Sequence, residues 1–305
     1  MKIITNEQVT ELITNEDAIA SMRSAFSTIS RSAQQARVRT QAGTTMLSTM
    51  GAVLPDSGVT GCKVYTTING QFRFVIVLFS TEDGRPLATI EADTMTGFRT
   101  AAATAVATDA LARRDAATLA VIGTGVQAKS HIPALLQVRP FKEILVAGIG
   151  DQTAFAEYVT QTTGVPTRAV SIDDAARGAD VVVTVTRAKT PLFSGNLLQP
   201  GVFVAAVGAS KKDVRELDDV AIQKADALVV EWKPQAQQEA GDLVLCAPGI
   251  VDWDKVRELG PIVEGTSDYK RAPDDIVIYK AIGVGLEDIA LAGLVYRRAA
   301  ERYGW

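Results

Sequence analysis

Cysteine and histidine are scarce. The chain of 305 residues has two cysteines, Cys62 and Cys246, and one histidine, His131. Metal sites built from Cys and His need several such ligands at close spacing, so none is expected. The two cysteines stand far apart in sequence and read as reduced and structural, which points to a cytoplasmic protein. A Ser-His-Asp triad would have to use His131, which falls in a helical segment and reads as a packing or surface residue. Acid–base chemistry is left to Lys, Asp, Glu, Tyr or water. Basic excess is missing too. The formal net charge is −4, so no broad positive surface for nucleic acid or lipid is expected, and an anionic substrate needs a local cluster of Arg and Lys. No apolar run approaches a membrane span. The opening residues, MKIITNEQVTELI, carry acids early and no signal-peptide core. No repeat or low-complexity linker is present. What remains is the composition of a soluble globular protein, 47% apolar and 22% charged, with a length that suggests about two domains.

The most informative stretch is 118–136, TLAVIGTGVQAKSHIPALL. An apolar run leads into Gly123-Thr124-Gly125, and Ala128 takes the third small position of a G-x-G-x-x-A pattern. Gly123 suits a tight strand-to-helix turn. Gly125, lacking a Cβ, lets the backbone approach a pyrophosphate. Ala128 permits close helix–strand packing. Phosphates would sit at the positive end of the following helix. The pattern alone also serves ordinary turns, but a buried-type strand before it and a helical segment after it point to a dinucleotide site.

Before this stretch, residues 5–30 read as helical, with Asn15 as a cap. Residues 27–50 are polar and carry Arg31, Arg37 and Arg39, each of which alone reads as a solvated side chain; VRTQ suits a short strand. From Met50 the pattern is β. GVTGCKVYTTI alternates, FRFVIVLFS is a strongly apolar strand, the segment around Asp83-Gly84 is a hairpin turn, and LATIEADTMTGF is the return strand. Lys63 lies in a mostly apolar stretch. It either sits at a sheet margin with its head in water or points into a site. Arg99 opens an alanine-rich helix to about residue 113.

After the turn the chain alternates. Strands are expected near 119–122, 143–147, 167–170, 180–186, 202–207 and 227–230, with helices between them. Uniformly apolar strands such as DVVVTV suit a parallel sheet covered on both faces. The class is α/β, a Rossmann doubly wound parallel sheet domain (116–283) inserted in an α/β domain formed by 1–115 and 284–305. At the end of the second Rossmann strand Asp151 either accepts from the cofactor ribose or caps the next helix. Thr186 and the Val207-Gly208-Ala209-Ser210 turn are further cofactor candidates. Near the end, Gly283 and Gly285 interrupt an apolar run before a helix, and Glu287-Asp288 stand in its first turn, where the helix dipole favours acids.

These segments together resemble one family. Gly61-Cys62-Lys63-Val64, Gly84-Arg85-Pro86-Leu87-Ala88, Thr96-Gly97-Phe98-Arg99-Thr100-Ala101-Ala102 and Gly123-Thr124-Gly125-Val126-Gln127-Ala128 are similar to motifs of the ornithine cyclodeaminase/μ-crystallin family. So are Arg215-Glu216-Leu217-Asp218-Asp219 and Tyr279-Lys280-Ala281-Ile282-Gly283. The resemblance extends over nearly the whole chain. It implies a homodimer joined through the sheets of the N-terminal domains. It also implies hydride transfer between a nicotinamide and the α-carbon of an amino acid or its imine. On this resemblance Arg39, Lys63 and Arg99 are the substrate residues. Thr100, Gly123, Thr124, Gly125, Val126, Gln127, Asp151, Thr186, Val207, Gly208 and Ser210 serve the cofactor.

The assignment is physically coherent, because a carboxylate-bearing imine calls for an Arg/Lys clamp. Cyclodeaminases of the family usually carry an aspartate where this chain has Ser210, and a hydroxyl cannot serve as a carboxylate base. Ketimine reduction, of Δ1-pyrroline-2-carboxylate or Δ1-piperideine-2-carboxylate to L-proline or L-pipecolate, is therefore expected over ornithine cyclodeamination. An L-alanine or N-alkyl amino-acid dehydrogenase and a non-catalytic μ-crystallin-like binding protein are the alternatives. Many NADP-using relatives have an arginine where this chain has Ile149, so NAD(H) is favoured, with NADP(H) possible.

Overall fold

The computed structural model describes residues 1–305. The chain begins with β1 (Lys2–Ile4), α1 (Asn6–Leu12), α2 (Asn15–Ser27), β2 (Ala33–Gln34), β3 (Val38–Ala42) and β4 (Thr45–Leu54). It continues with β5 (Val59–Ile68), β6 (Gln71–Ser80), β7 (Pro86–Glu91), α3 (Asp93–Leu111), β8 (Thr118–Ile122), α4 (Val126–Leu136) and β9 (Glu143–Ala147). Then come α5 (Gln152–Thr163), β10 (Thr167–Ala169), α6 (Ile172–Gly178), β11 (Val181–Thr184), β12 (Phe203–Ala206), α7 (Asp219–Lys224) and β13 (Ala227–Val230). The last elements are α8 (Lys233–Glu239), α9 (Gly241–Val244), β14 (Arg257–Glu258), α10 (Leu259–Glu264), β15 (Val277–Lys280) and α11 (Gly285–Tyr303). Two compact units result. Unit 1 is Met1–Ala103, Val263–Gly265 and Gly283–Trp305; unit 2 is Thr104–Ile262 and Thr266–Ile282.

Unit 1 is a mixed sheet in the order β1-β7-β6-β5-β4-β2, with β3 also paired to β4. Only β1 and β7 run parallel. The β5–β6 hairpin turns at Asn69-Gly70, where both residues have positive φ, as a tight primed turn requires. The β6–β7 hairpin turns through Gly84, as its sequence predicts. Alternation then sorts the side chains. Met50, Lys63, Tyr65, Ile76 and Leu78 share the buried face, and α11 covers it with Leu286, Ile289, Ala292 and Val295.

Three expectations change here. The N-terminal helical region is two helices, capped by Thr5 and by Thr14 rather than Asn15, each in a reciprocal capping box. Strand β4 begins at Thr45, inside the segment read as polar. The return strand ends at Glu91, and the residues after Asp93 are helical, so Arg99 lies well inside α3 rather than at its start. The cause is non-local: Asn6 Oδ1 accepts from the Thr94 N–H at 2.9 Å, which fixes the first turn of α3.

Unit 2 is an eight-stranded, wholly parallel sheet in the order β10-β9-β8-β11-β12-β15-β13-β14. The order reverses direction between β8 and β11, the switch point of a doubly wound fold. The six strands expected from sequence are present. Two more were not anticipated, β14 at the edge and β15 inserted between β12 and β13. The core is aliphatic, with Ile122, Val182, Val204, Val230 and Ile278 among its buried side chains. No helix is long and apolar enough to cross a membrane.

Candidate functional site

In unit 1 the sheet and α11 bury a cluster of charges. A Cβ on Gly285 would lie 2.3 Å from the Gly51 carbonyl oxygen. Glycine there lets the start of α11 lie directly on β4, which brings Glu287 and Asp288 down onto the sheet. Neither acid reaches solvent. Asp288 Oδ1 lies 2.9 Å from Lys63 Nζ and 3.3 Å from Arg99 Nε. Glu287 Oε2 accepts from Arg99 Nη1 at 2.7 Å. The first-turn acids are therefore partners of buried cations, which dipole compensation alone would not have required.

Lys63 is held on several sides. Its ammonium donates to the Thr96 hydroxyl at 2.7 Å, and that hydroxyl donates to the Ala92 carbonyl at 2.6 Å. It also lies 4.4 Å from the centroid of Phe74, which packs with Tyr65. Burial pulls the Lys63 ammonium down to about 8, against the opposing pull of Asp288. Burial alone would raise Asp288, but Lys63, Arg99 and Arg37 outweigh it and hold the carboxyl below its ordinary range.

Of the three cations singled out from sequence, Lys63 and Arg99 meet at Asp288. Arg39 is half-buried opposite Ser48 and shares the sheet face of Lys63 through the register Arg39–Ser48–Tyr65. Arg37, read as a solvated arginine, donates to the Gly283 carbonyl at 2.7 Å and is close enough to act on both Lys63 and Asp288. Arg37, Lys63 and Arg99 thus act together on Asp288, a concentration of cationic donors of the kind that recognises a carboxylate. Asp288 Oδ2 is buried and finds no hydrogen-bond donor in the protein.

In unit 2 the glycine turn joins β8 to α4. Gly123 has φ +124, and a Cβ there would lie 2.7 Å from the Val185 carbonyl oxygen, so the fold itself requires glycine. Gly125 differs. Its φ of −86 suits any residue, and an added Cβ would meet nothing within 4 Å. The protein leaves room above this backbone. Gly125 caps α4 without a side-chain acceptor, and the first turn of α4 carries no acid. Exposed N–H groups at a positive helix end, with open space before them, fit a pyrophosphate. The Thr124 hydroxyl ties the turn to the Ile149 carbonyl at 3.2 Å. Val126 and Ile149 are exposed apolar residues beside it, Ile149 at 92%.

The other cofactor candidates are placed as follows. The Asp151 carboxylate accepts from the Ala154 N–H at 2.9 Å, so of its two readings the helix cap is the one observed. Gln127 lies in the first turn of α4, and Ala128 is fully buried against the sheet. Thr186 follows β11, and both its N–H and hydroxyl are bound to Glu216. Val207, Gly208 and Ser210 form the turn after β12. In unit 1 the Thr100 hydroxyl donates to the Thr96 carbonyl at 2.7 Å. His131 is fully buried. Its Nδ1 pairs with the Gln127 carbonyl at 2.8 Å and its Nε2 with the Thr104 hydroxyl at 3.1 Å, so both ring nitrogens are used within the fold. Cys62 and Cys246 are free thiols, and no cluster of metal-ligating side chains exists.

A doubly wound sheet with an open glycine turn at a helix N-terminus defines a dinucleotide-binding protein. The chain belongs to the ornithine cyclodeaminase/mu-crystallin family, which it matches over residues 1–303. The Δ1-pyrroline-2-carboxylate reductase of Bacillus cereus is 38% identical over 255 residues, covering 82% of this chain and 76% of that protein. The crystal structure of a probable ornithine cyclodeaminase from Bordetella pertussis superposes with a TM-score of 0.97 at 47% identity, covering 100% of this chain and 99% of that one. The Δ1-pyrroline-2-carboxylate reductase of Thermococcus litoralis, in complex with NADH and L-proline, gives a TM-score of 0.94 at 28% identity, covering 99% and 98%.

Proposed function

We propose that this protein reduces the C=N bond of a cyclic α-ketimine, Δ1-pyrroline-2-carboxylate or its six-membered homologue, to the L-imino acid. The broader class, an oxidoreductase that acts on C=N with a nicotinamide cofactor, follows from its family and its relatives. The observation that carries the finer reading is the convergence of Lys63 and Arg99 on Asp288 at 2.9 and 3.3 Å. A cationic, aromatic-lined site suits a compact carboxylate far better than a long diamine.

A nicotinamide cofactor, when bound, would supply the hydride that reduces the imine carbon. The residues of this chain do the rest. Arg39, Lys63 and Arg99 bind and orient the substrate carboxylate, and Asp288 Oδ2 is the acceptor available to the iminium N–H. Hydride addition cancels the iminium charge while nitrogen keeps its proton, so no metal is needed to polarise the bond. Positioning and electrostatics carry the catalysis. Ser210 supports reduction over cyclodeamination, which needs a carboxylate at that place.

NAD(H) is the favoured cofactor, since no arginine follows β9 to meet a 2′-phosphate. The protein assembles as a homodimer through the outer face of the unit 1 sheet. Leu47, Val53 and Val75 lie on that face, each at least 38% exposed, and Val64 and Val77 lie between them.

Purified protein mixed with Δ1-pyrroline-2-carboxylate and NADH or NADPH at mildly acidic pH tests the reading. Oxidation of the cofactor with formation of L-proline supports it; oxidation of neither cofactor sinks it. Ammonia release from ornithine would identify a cyclodeaminase instead. Turnover of pyruvate with ammonia or methylamine would identify an amino-acid dehydrogenase.

A further inference from the structure

Unit 2 holds a buried ionic array of its own. Glu216 lies between β12 and α7 and does not reach solvent. Its Oε1 accepts from the Thr186 N–H at 2.8 Å and the Thr186 hydroxyl at 2.7 Å. Its Oε2 accepts from the Thr184 hydroxyl and the Gly208 N–H, both at 2.8 Å, and from the Ala209 N–H at 3.3 Å. One carboxylate therefore ties the chain leaving β11 to the turn leaving β12. The two segments are in close contact: a Cβ on Gly208 would lie 2.3 Å from the Thr186 carbonyl oxygen and 2.5 Å from Glu216 Oε1.

The carboxylate is itself held from behind. Asp242 Oδ1 accepts from the Glu216 and Leu217 N–H groups at 2.6 and 2.8 Å. Asp242 Oδ2 lies 2.9 Å from Lys280 Nζ, with neither side chain reaching solvent. Lys280 Nζ also donates to the Ala206 carbonyl at 3.0 Å. Ala206 ends β12 and Lys280 ends β15, so the array spans the carboxyl ends of three neighbouring strands, β11, β12 and β15.

Stability is a weak reason for such an array, because packed apolar side chains in the same volume hold a fold as well or better. What the array does fix is geometry. In a doubly wound sheet each half receives one mononucleotide, at the carboxyl ends of its strands. By that rule the glycine turn after β8, with β9 and β10, would take the adenosine half. The ends of β11 and β12 are left for the nicotinamide half.

We infer that Glu216, backed by Asp242 and Lys280, is the positioning residue of the nicotinamide half-site. It acts through the backbone of Thr186 and of Gly208-Ala209 and touches no ligand itself. The inference rests on the dinucleotide reading of unit 2.

Binding, measured separately for the two halves of the cofactor, tests it. Glu216→Gln and Thr184→Val are titrated calorimetrically with the dinucleotide that the wild-type protein binds and with ADP, which lacks the nicotinamide half. Glu216→Gln replaces an acceptor oxygen by an NH2 that faces N–H donors, so dinucleotide binding should weaken about ten-fold or more while ADP binding changes less than about two-fold. Thr184→Val removes a single donor with little change of shape, and it keeps the test decisive should Glu216→Gln fail to fold. It should show the same selectivity at smaller amplitude. Equal weakening of both ligands, or of neither, overturns the inference. A wild-type protein that binds neither ligand would instead remove the dinucleotide reading, and this inference with it.

Discussion

Lys63 Nζ and Asp288 Oδ1 lie 2.9 Å apart although 225 residues separate them in sequence, and neither side chain reaches solvent. The strand that carries one and the helix that carries the other are thereby locked together at the point where the substrate is proposed to bind. Stability and chemistry share this contact, and the two can be separated by experiment.

Removing one member leaves the other charge buried without its counter-ion. Lys63→Met and Asp288→Asn should each lower the unfolding free energy by about 3–5 kcal/mol, and the double variant should recover part of that. Urea midpoints at constant m-value report it. Single variants as stable as the wild type would show that the pair is not energetically coupled. Folded Lys63→Met should still bind dinucleotide but lose imine reduction.

The pH profile follows from the same lysine. Its ammonium, brought down to about 8 by burial, must be charged to hold a carboxylate. kcat/KM should therefore fall as pH rises through about 8. Lys63→Arg stays charged over this range, so its basic limb should move upward; an unmoved limb would assign it to another group. Stability has the opposite sign. Between about 8 and 10.5 the unfolded chain holds the proton that the folded one has lost, so the Lys63 contribution to stability rises with pH. The wild-type thermal midpoint should therefore gain on that of Lys63→Met across that window, widening the gap between them; a constant gap would show that Lys63 does not titrate there.

Cofactor choice should respond at Ile149. The side chain is 92% exposed just after β9, and Asp151 beside it caps α5 through Oδ1. Ile149→Arg supplies a cation for a 2′-phosphate and should raise the NADPH-to-NADH ratio of kcat/KM about ten-fold. An unchanged ratio would place the ribose away from this strand end.

The two glycines of the turn should separate fold from binding. Gly123→Ala forces a side chain into φ +124 and a 2.7 Å contact, and should destabilise the protein by about 1–3 kcal/mol. Gly125→Val meets open space, and should leave the thermal midpoint nearly unchanged while abolishing dinucleotide binding. Retained binding in Gly125→Val would show that the phosphates lie elsewhere.

Val75 lies on the outer sheet face, between Val64 of β5 and Glu91 of β7, and is 38% exposed. If that face joins two copies, Val75→Glu buries a charge against its own copy and should yield monomers in light scattering after gel filtration. A variant of unchanged mass would exclude this face as the dimer surface.

Local chemistry was readable from sequence wherever it acted over short range. The strand–glycine–helix unit at β8 and α4, the alternation of β5 and β6 and the Asp83-Gly84 turn all depend on neighbours in sequence. Reading failed where a distant contact decided. Residues 93–98 alternate like a strand, but Asn6 binds the Thr94 N–H and turns them into helix. IVIY before Gly283 is too short a run to separate strand from helix entry, and only pairing with β12 and β13 makes it β15. Glu287 and Asp288 are sufficiently explained by the helix dipole until the contact of Gly285 with Gly51 puts them beneath Lys63 and Arg99. Glu216 carried a signal, its place in the Arg215–Asp219 motif, but nothing local revealed its five donors.

The position of β15 has a consequence for the order in which the chain acquires its structure. This strand comes after every other strand in sequence, yet it lies inside the parallel sheet, between β12 and β13. Until it is synthesised, β12 and β13 are both open edges, each presenting unpaired N–H and C=O groups to any passing strand. The helix that roofs the unit 1 sheet, α11, comes later still. Neither unit can close before β15 and α11 have been made, and until then the exposed edges of β12 and β13 are where misassembly and the need for chaperone protection should be greatest.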